Sequence, residues 1–291
     1  MGAYFLHDFI ETRDGARIYF QIHGEGGPGW VLCDGLGCDG FVWKYLLPRL
    51  KSHGRVVRWH YRGHGRSTVG ADPTRLGMEP SCADLDAVLE RAGLERPVLL
   101  GHSMGVQVAL EYQRLHPQKV SGLVLICGSY GNPLDTFHDG PWLKLAFPFI
   151  KAAVERFPKA SAWVGRLSFR SELATQLALY VELNRSLIQR EDLWPYFDHL
   201  ARMDPVVFVQ TLRSLSEHTA WSHLAQINVP TLVVGGEKDR FTPLSLSVRM
   251  AEAIPGAKHL WIEGATHLAP LEEPERVGTE VETFLRPGSA A

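Results

Sequence analysis

Short apolar runs, each ending in glycine, alternate with helical patterns along much of the chain. The runs are rich in β-branched residues and occur in "GWVLCDGLG", "GRVVRWHYRGHG", "RPVLLGHSMG" and "VSGLVLICGS". Helical periodicity lies between them, near 41–50, 82–91 and 106–116. Strands that are apolar on both faces and alternate with helices indicate a parallel sheet covered by helices. The predicted fold class is therefore α/β.

A wide gap separates two blocks of this pattern. The alternation stops near Tyr130 and resumes at "NVPTLVVGGEKD", followed by a helix at 244–253, a strand in "AKHLWIEG" and a helix at 275–285. The gap holds many aromatic residues, and its clearest amphipathic helix is "RSELATQLALYVELNRSLI". We interpret 1–129 and 222–291 as the core, and 130–221 as a helical insertion that caps the sheet.

The first 23 residues follow a different pattern. Residues 4–23 alternate between apolar and polar positions on either side of Asp14-Gly15, a pair typical of a two-residue hairpin turn. This pattern predicts two antiparallel strands ahead of the parallel ones.

The composition excludes several classes of protein. The chain has 291 residues, of which 45% are hydrophobic and 21% charged, with a net charge of −2. Such values are typical of a folded globular protein. Without a basic excess, neither nucleic acid nor an anionic membrane surface is an expected partner. No run of about 20 apolar residues and no secretory leader is found, so we expect no membrane span and a cytoplasmic location.

The cysteines are spaced too irregularly for a metal site. Cys33, Cys38, Cys82 and Cys127 form neither a CxxC pair nor a zinc-ligand pattern. We expect buried free thiols, which behave as small apolar side chains, and no bound metal or cofactor.

Ser103 stands between two glycines, where a strand pattern changes into a helical one. In the segment "LLGHSMGVQVAL", such a corner strains the backbone of the serine, and Gly101 and Gly105 keep strand and helix from colliding. Two further candidates follow in chain order, each just after a predicted strand: Asp239 and His267. Side chains at the carboxyl ends of parallel strands converge on one edge of a sheet.

These residue types suit nucleophilic catalysis. A serine hydroxyl is a poor nucleophile at neutral pH, whereas an imidazole can take its proton and return it to the leaving group. A buried carboxylate fixes the tautomer of that imidazole and stabilises its charged form. We assign Ser103 as nucleophile, His267 as base and Asp239 as the residue that orients it. Glu237, Asp135 and Glu263 are alternative acids.

Four segments together resemble the α/β-hydrolase superfamily, and more closely its cap-bearing esterase and lactonase branch. They are "GHSMG", "YRGHGRS", "PTLVVGGEKDRFTP" and "GATHLAPLEEPE". The resemblance implies a mostly parallel, eight-stranded sheet flanked by helices, with a helical cap insertion. It also implies an oxyanion hole formed by the backbone N–H groups of Met104 and Leu36.

The chain departs from the family pattern in two loops. The loop after the third strand commonly reads His-Gly but here reads Asp34-Gly35, and the loop after the fourth commonly reads Asp-x-Arg-Gly but here has His60 at the first position. We hypothesise a hydrogen bond between Asp34 and His60 with exchanged ends. One alternative is that the two positions changed independently of each other. Another is that Asp34 points into the pocket. His102 is expected to be a buried, hydrogen-bonded histidine, and Val106 replaces a common third glycine.

Aromatic residues of the insertion bear on the substrate. We expect most of them to form the cap's own core and the rest to line an apolar pocket above Ser103. The twelve are Phe137, Trp142, Phe147, Phe149, Phe157, Trp163, Phe169, Tyr180, Trp194, Tyr196, Phe197 and Phe208.

Three functions fit this sequence. The first is a serine hydrolase that cleaves an ester or lactone of a small hydrophobic molecule through an acyl-enzyme. The second is hydrolysis of a carbon–carbon bond, or a perhydrolase activity, by the same three residues. The third is a receptor-like protein that binds its ligand with slow turnover. Dehalogenase and epoxide hydrolase activities are disfavoured, because those relatives place an aspartate where this chain has Ser103.

Overall fold

The computed structural model contains one eight-stranded sheet. It describes residues 5–137, 140, 142–171, 176, 184 and 186–285. The strand order is β1-β2-β4-β3-β5-β6-β7-β8. The strands are β1 Phe5–Glu11, β2 Arg17–His23, β3 Gly29–Cys33, β4 Arg55–Trp59, β5 Val98–His102, β6 Gly122–Ile126, β7 Thr231–Gly236 and β8 Lys258–Ile262. Strands β3 to β8 pair in parallel, which confirms the predicted mostly parallel sheet.

The antiparallel hairpin at the start of the chain is confirmed, but its turn is longer than predicted. Strand β1 pairs with β2 in a register that places Glu11 opposite Arg17, so residues 12–16 form the connection. The Thr12 side chain holds this loop by donating to Asp14 and accepting from the backbone N–H of Ala16 at 3.0 Å. The sequence located the turn, whereas these side-chain bonds set its length.

Helices cover both faces of the sheet. The core helices are α1 Leu46–Leu50, α2 Met78–Ala92, α3 Met104–Leu115, α9 Leu244–Ala253, α10 Ala269–Glu272 and α11 Pro274–Leu285. On one face Val31, Val57 and Leu99 pack against α2 and α3. On the other, Leu32 and Leu100 pack against α1 and α11. Apolar residues on both faces of each strand produce these two cores.

More helices lie between β6 and β7, where the sequence predicts an insertion. They are α4 Trp142–Arg156, α5 Pro158–Phe169, α6 Arg190–Arg202, α7 Pro205–Glu217 and α8 Trp221–Leu224. The predicted helix at 170–188 lies mostly outside the described residues. In the part of the chain that the structure describes, no helix has the length and hydropathy needed to cross a bilayer.

Candidate active site

Ser103 occupies a strained corner between β5 and α3. Its φ of 54° and ψ of −117° are rarely adopted by residues other than glycine. The backbone around it is held on both sides, because Ser103 N–H donates to the carbonyl of Ile126 at 3.1 Å and Val106 N–H donates to the carbonyl of Ser103 at 3.0 Å. The neighbouring strand and the first turn of α3 therefore fix the position of the serine.

The two glycines around Ser103 are required by close packing. A Cβ atom on Gly105 would lie 2.0 Å from the carbonyl oxygen of Cys33, and one on Gly101 would lie 2.4 Å from the carbonyl oxygen of Gly105. Both distances are far below van der Waals contact. The expectation that these positions must be small is confirmed.

Val106 takes the position of the usual third glycine, and the space for it comes from elsewhere. A Cβ atom on Gly128, just beyond β6, would lie 2.3 Å from Cγ2 of Val106. The missing side chain at Gly128 accommodates the extra one on α3. Val106 is fully buried, so the exchange leaves the helix packed against the sheet.

Asp239 and His267 form a hydrogen-bonded pair after β7 and β8. His267 Nδ1 lies 2.9 Å from Asp239 Oδ2, and Thr242 Oγ1 donates to the same oxygen at 2.7 Å. The other oxygen, Oδ1, accepts from the backbone N–H groups of Phe241 and Thr242, both at 2.8 Å. These hydrogen bonds fix the position and orientation of the carboxylate. In a neutral ring that donates from Nδ1 to this carboxylate, Nε2 is the nitrogen without a proton.

The alternative acids lie elsewhere. Glu237 accepts from the backbone N–H of Gly264 at 2.8 Å, and Asp135 forms an ion pair with Lys144 at 2.7 Å. Glu263 is an exposed residue. Of the four candidate carboxylates, Asp239 is the one that contacts the His267 ring.

Ser103 and His267 line the same cavity, together with Leu36 and Met104. Both Ser103 and His267 are described by the structure, and no hydrogen bond joins the Ser103 hydroxyl to the His267 imidazole. Such bonds are commonly long in unliganded enzymes and shorten when substrate binds. The His267 ring contacts the rings of Phe241 and His102, each with its centroid 5.0 Å away.

The cavity has a volume of about 910 Å³ and an apolar lining. Among the described residues that line it, none is Asp, Glu, Lys or Arg. Its size is at the upper end of the range for small-molecule sites. The insertion contributes side chains from α4, α5, α6 and α7, so the sheet edge and the insertion enclose the cavity together.

The expectation that most aromatic residues of the insertion form its own core is wrong. Five of the twelve are largely exposed, and Tyr180 lies outside the described residues. Seven line the cavity: Phe137, Phe147, Phe157, Phe169, Tyr196, Phe197 and Phe208. More of these aromatic side chains line the cavity than pack only in the interior of the insertion.

Two backbone N–H groups beside Ser103 are available to a ligand. Met104 is the first residue of α3, where an N–H has no partner within the helix. Neither this group nor the N–H of Leu36 donates to another described residue. Gly35 brings the second loop close, because a Cβ atom there would lie 3.2 Å from Cβ of Ser103.

The hypothesised hydrogen bond between Asp34 and His60 is not formed. Asp34 Oδ1 accepts from Trp43 Nε1 at 2.5 Å, whereas His60 Nδ1 accepts from the backbone N–H of Arg66 at 2.9 Å. Although β3 and β4 are neighbours, each side chain finds a partner nearer in sequence. Burial raises the pKa of Asp34 to about 7, opposed by the nearby charge of Arg58. Burial likewise lowers the pKa of His60 to about 3.

His102 is buried and hydrogen-bonded, as expected, and its partner is informative. Its Nε2 donates to the backbone carbonyl of His267 at 2.9 Å, which defines the tautomer because a carbonyl can only accept. Burial lowers the pKa of His102 to about 3, so the ring stays neutral near pH 7. The residue before the nucleophile therefore holds the loop that carries the imidazole.

Sequence reasoning missed Thr242 and Glu272. The carboxylate of Glu272 accepts from the N–H and the hydroxyl of Thr266, at 2.6 and 2.8 Å, and so anchors the residue before His267. Thr242 could have been found from its spacing, since a hydroxyl three residues after an aspartate commonly bonds to that side chain. Glu272 had no such local signal beyond its place in the segment "GATHLAPLEEPE".

Among the described residues there is no cluster of three or more His, Cys, Asp or Glu side chains arranged to hold a metal ion. The four cysteines are buried thiols, as predicted.

The sheet order, the strained serine and the Asp239–His267 pair together define the class of protein. Residues 22–274 match the family described as alpha/beta hydrolase fold, and the chain belongs to this family.

Known relatives cover nearly the whole chain. A hydrolase of Agrobacterium fabrum, provisionally named carbamate hydrolase RutD, is 25% identical over 93% of this chain and 98% of its own. The 2-hydroxy-6-oxononadienedioate/2-hydroxy-6-oxononatrienedioate hydrolase 2 of Pseudomonas putida is 28% identical, with 96% of each chain covered. A thermophilic esterase from Thermogutta terrifontis has a TM-score of 0.77 and 24% identity over 97% of this chain and 98% of its own, a likeness of fold. The chain is thus a hydrolase.

Proposed function

We propose that this protein is a serine hydrolase that cleaves a carboxylic ester or lactone with a hydrophobic acyl or aromatic part. The observation that carries the proposal is the pairing of buried Asp239 with His267 at 2.9 Å, beside a serine held at a strained corner of the same cavity. No further group is needed for acyl transfer by such a set.

The reaction begins with the unprotonated Nε2 atom of His267. This atom accepts the proton of Ser103 Oγ as the oxygen bonds to the substrate carbonyl carbon. Collapse of the tetrahedral intermediate breaks the ester C–O bond, and the imidazolium returns the proton to the leaving alkoxide. Water then repeats the sequence on the acyl-enzyme and releases the acid. Asp239 stabilises the imidazolium in both halves.

We assign the oxyanion hole to the N–H groups of Leu36 and Met104. Both lack a partner among the described residues and lie beside Ser103. Each such donor contributes about 10²- to 10³-fold to the rate, because it is already oriented toward the developing charge. Residues 130–221 act as a cap in this proposal, since their helices close the cavity over Ser103.

The cavity favours an uncharged substrate. The Pseudomonas putida relative is named for a dioate, which carries two carboxylates. In this chain none of the described lining residues is Lys or Arg, so a buried carboxylate would have no ionic partner. An apolar ester or lactone pays no such penalty. This difference favours the first of the three functions over carbon–carbon cleavage of a dioate.

The experiment compares the wild type and Ser103→Ala on a panel of p-nitrophenyl esters from acetate to dodecanoate, aromatic lactones and a ring-cleavage dienoate. A fluorophosphonate probe reports the nucleophile separately. We expect probe labelling that Ser103→Ala abolishes, and kcat/KM values highest for the longer or aromatic uncharged substrates. A higher kcat/KM for the dienoate would favour carbon–carbon hydrolysis, and ligand binding without labelling would favour a receptor.

A further inference from the structure

The outer surface of the insertion is unusually apolar. Helices α4 and α5, together with the residue between them, form what we call the α4–α5 hairpin, residues 142–169. These 28 positions hold eight of the thirteen exposed large hydrophobic residues in the described part of the chain. The eight are Trp142, Leu145, Phe149, Ile150, Phe157, Trp163, Val164 and Leu167. Apolar side chains gathered in this way mark an interaction surface.

The same hairpin is cationic. It contains five Lys or Arg residues and one acidic residue, Glu155, while the whole chain has a net charge of −2. Lys144 and Lys151 are paired with Asp135 and Glu155. Lys159 and Arg166 form no ion pair with any residue that the structure describes. From the net charge of the whole chain we expected no anionic membrane surface as a partner. That net charge does not show the local excess of positive charge on the hairpin.

The apolar surface is continuous with the cavity. Ile150, Phe157 and Val164 are exposed to solvent and also line the cavity that contains Ser103. An apolar molecule at the outer surface of the hairpin therefore reaches the cavity along apolar side chains.

We propose that the α4–α5 hairpin docks on the surface of an anionic lipid bilayer. Trp, Phe and Leu side chains combined with Lys and Arg are typical of segments that lie in the interface of a membrane. The charges argue against a second copy of the chain, because a symmetric contact would bring two net positive hairpins together. The remainder of the chain is net negative, so it is repelled by the lipid headgroups while the hairpin faces them. This proposal does not depend on the proposed reaction.

Co-sedimentation with lipid vesicles tests the proposal. We expect the full chain to bind vesicles of phosphatidylcholine with 30% phosphatidylglycerol at least tenfold more tightly than vesicles of phosphatidylcholine alone, and to release them at high salt. Lys159→Glu with Arg166→Glu, and separately Trp163→Gln with Leu167→Gln, should each weaken binding at least tenfold. None of these four residues lines the cavity.

Matched variants control for charge and for loss of tryptophan. Lys51→Glu with Arg96→Glu makes the same change in charge at exposed positions ahead of β4 and β5, at the far end of the strands. Trp261→Gln controls for the loss of a tryptophan, because Trp261 is 53% exposed on the edge strand β8, compared with 66% for Trp163. We expect these controls, and Ser103→Ala, to bind like the wild type. The hairpin variants should also retain the wild-type midpoint of urea denaturation, which shows that they fold.

Three results would overturn the proposal. One is absence of binding to anionic vesicles. Another is an equal loss of binding in the hairpin variants and their controls. The third is a wild-type dimer in sedimentation equilibrium that Trp163→Gln with Leu167→Gln converts to monomer, because the hairpin would then contact a second copy.

Discussion

The surroundings of Ser103 and the α4–α5 hairpin are built in opposite ways. Around Ser103, glycines allow backbone contacts so close that a single added carbon would lie 2.0 Å from a carbonyl oxygen. In the hairpin, Phe147 is the one large apolar residue among the described positions that is buried. A Cβ atom on Gly165 of α5 would have its nearest neighbour at 3.9 Å.

This difference in packing matches different requirements: the residues around Ser103 must be positioned for reaction, whereas the α4–α5 hairpin borders the way into the cavity. The catalytic candidates must be held to a fraction of an ångström, so they lie on a close-packed sheet edge with several hydrogen bonds each. The hairpin needs only an apolar inner face and a suitable outer one, and loose packing satisfies both. Substitutions should therefore have large effects at the sheet edge and small ones on the outer face of the hairpin.

The largest effect is expected at the proposed catalytic residues. Ser103→Ala or His267→Ala should lower kcat on the preferred ester by about 10⁴-fold, because nucleophile and base act as a unit. Steady-state kinetics measures this loss, and the double variant should be little worse than either single one. A loss of tenfold or less in either variant is incompatible with the assignment.

Two helical glycines test the packing contrast directly. Gly105→Ala in α3 should lower the free energy of unfolding by about 3 kcal/mol or more, because the backbone of Cys33 must move. Gly165→Ala in α5 should raise it by up to about 1 kcal/mol, because alanine favours the helix and its Cβ would come no closer than 3.9 Å to a neighbour. Urea denaturation measures both. Similar costs at the two sites would remove the contrast.

Asp34 should make stability fall as pH rises. Its pKa of about 7 in the folded protein lies above the ordinary value of 3.8. The stabilisation from its neutral form is complete below pH 3.8 and is lost as the pH rises through 7. Asp34→Asn keeps a neutral acceptor for Trp43, so between pH 4 and 8 the wild type should lose about 4 kcal/mol relative to this variant.

Urea denaturation across this pH range gives the difference, with exposed Asp72→Asn as the control. We expect no fall of this sign for the control, because its side chain is hydrogen-bonded in the ionised form and its pKa is lowered. A constant difference between the wild type and Asp34→Asn would show that Asp34 is ionised in the folded protein throughout.

The smallest expected effects come from neighbouring positions of α4. Phe147 is 7% exposed and packs with Leu134 and Val209, whereas Phe149 is 78% exposed. Phe147→Ala should lower the free energy of unfolding by about 2 kcal/mol, because the cluster is small, and Phe149→Ala by less than about 0.5 kcal/mol. Equal costs would mean that the outer face of α4 is covered in solution.

The sequence predicted the features that depend on neighbours along the chain. The strands, the serine between two glycines and the chain order Ser103, Asp239, His267 follow from local patterns. The structure contains these strands and pairs Asp239 with His267. The prediction of a hydrogen bond between Asp34 and His60 was wrong, because the adjacency of two strands does not determine the direction in which side chains at their ends point. Instead, Trp43, nine residues after Asp34, donates its Nε1–H to Oδ1 of that carboxyl group. Likewise, no pattern shows which aromatic residues of an insertion will face a cavity.

The uncharged lining of the cavity also bears on what happens after the reaction. In the proposed reaction, hydrolysis of a neutral ester or lactone leaves a carboxylate, and the described walls around Ser103 offer no Lys or Arg to hold it. The ionised acid should therefore bind weakly in the cavity, since an unpaired charge is costly in apolar surroundings. Departure of the acid should be spontaneous, and accumulating acid should inhibit only weakly.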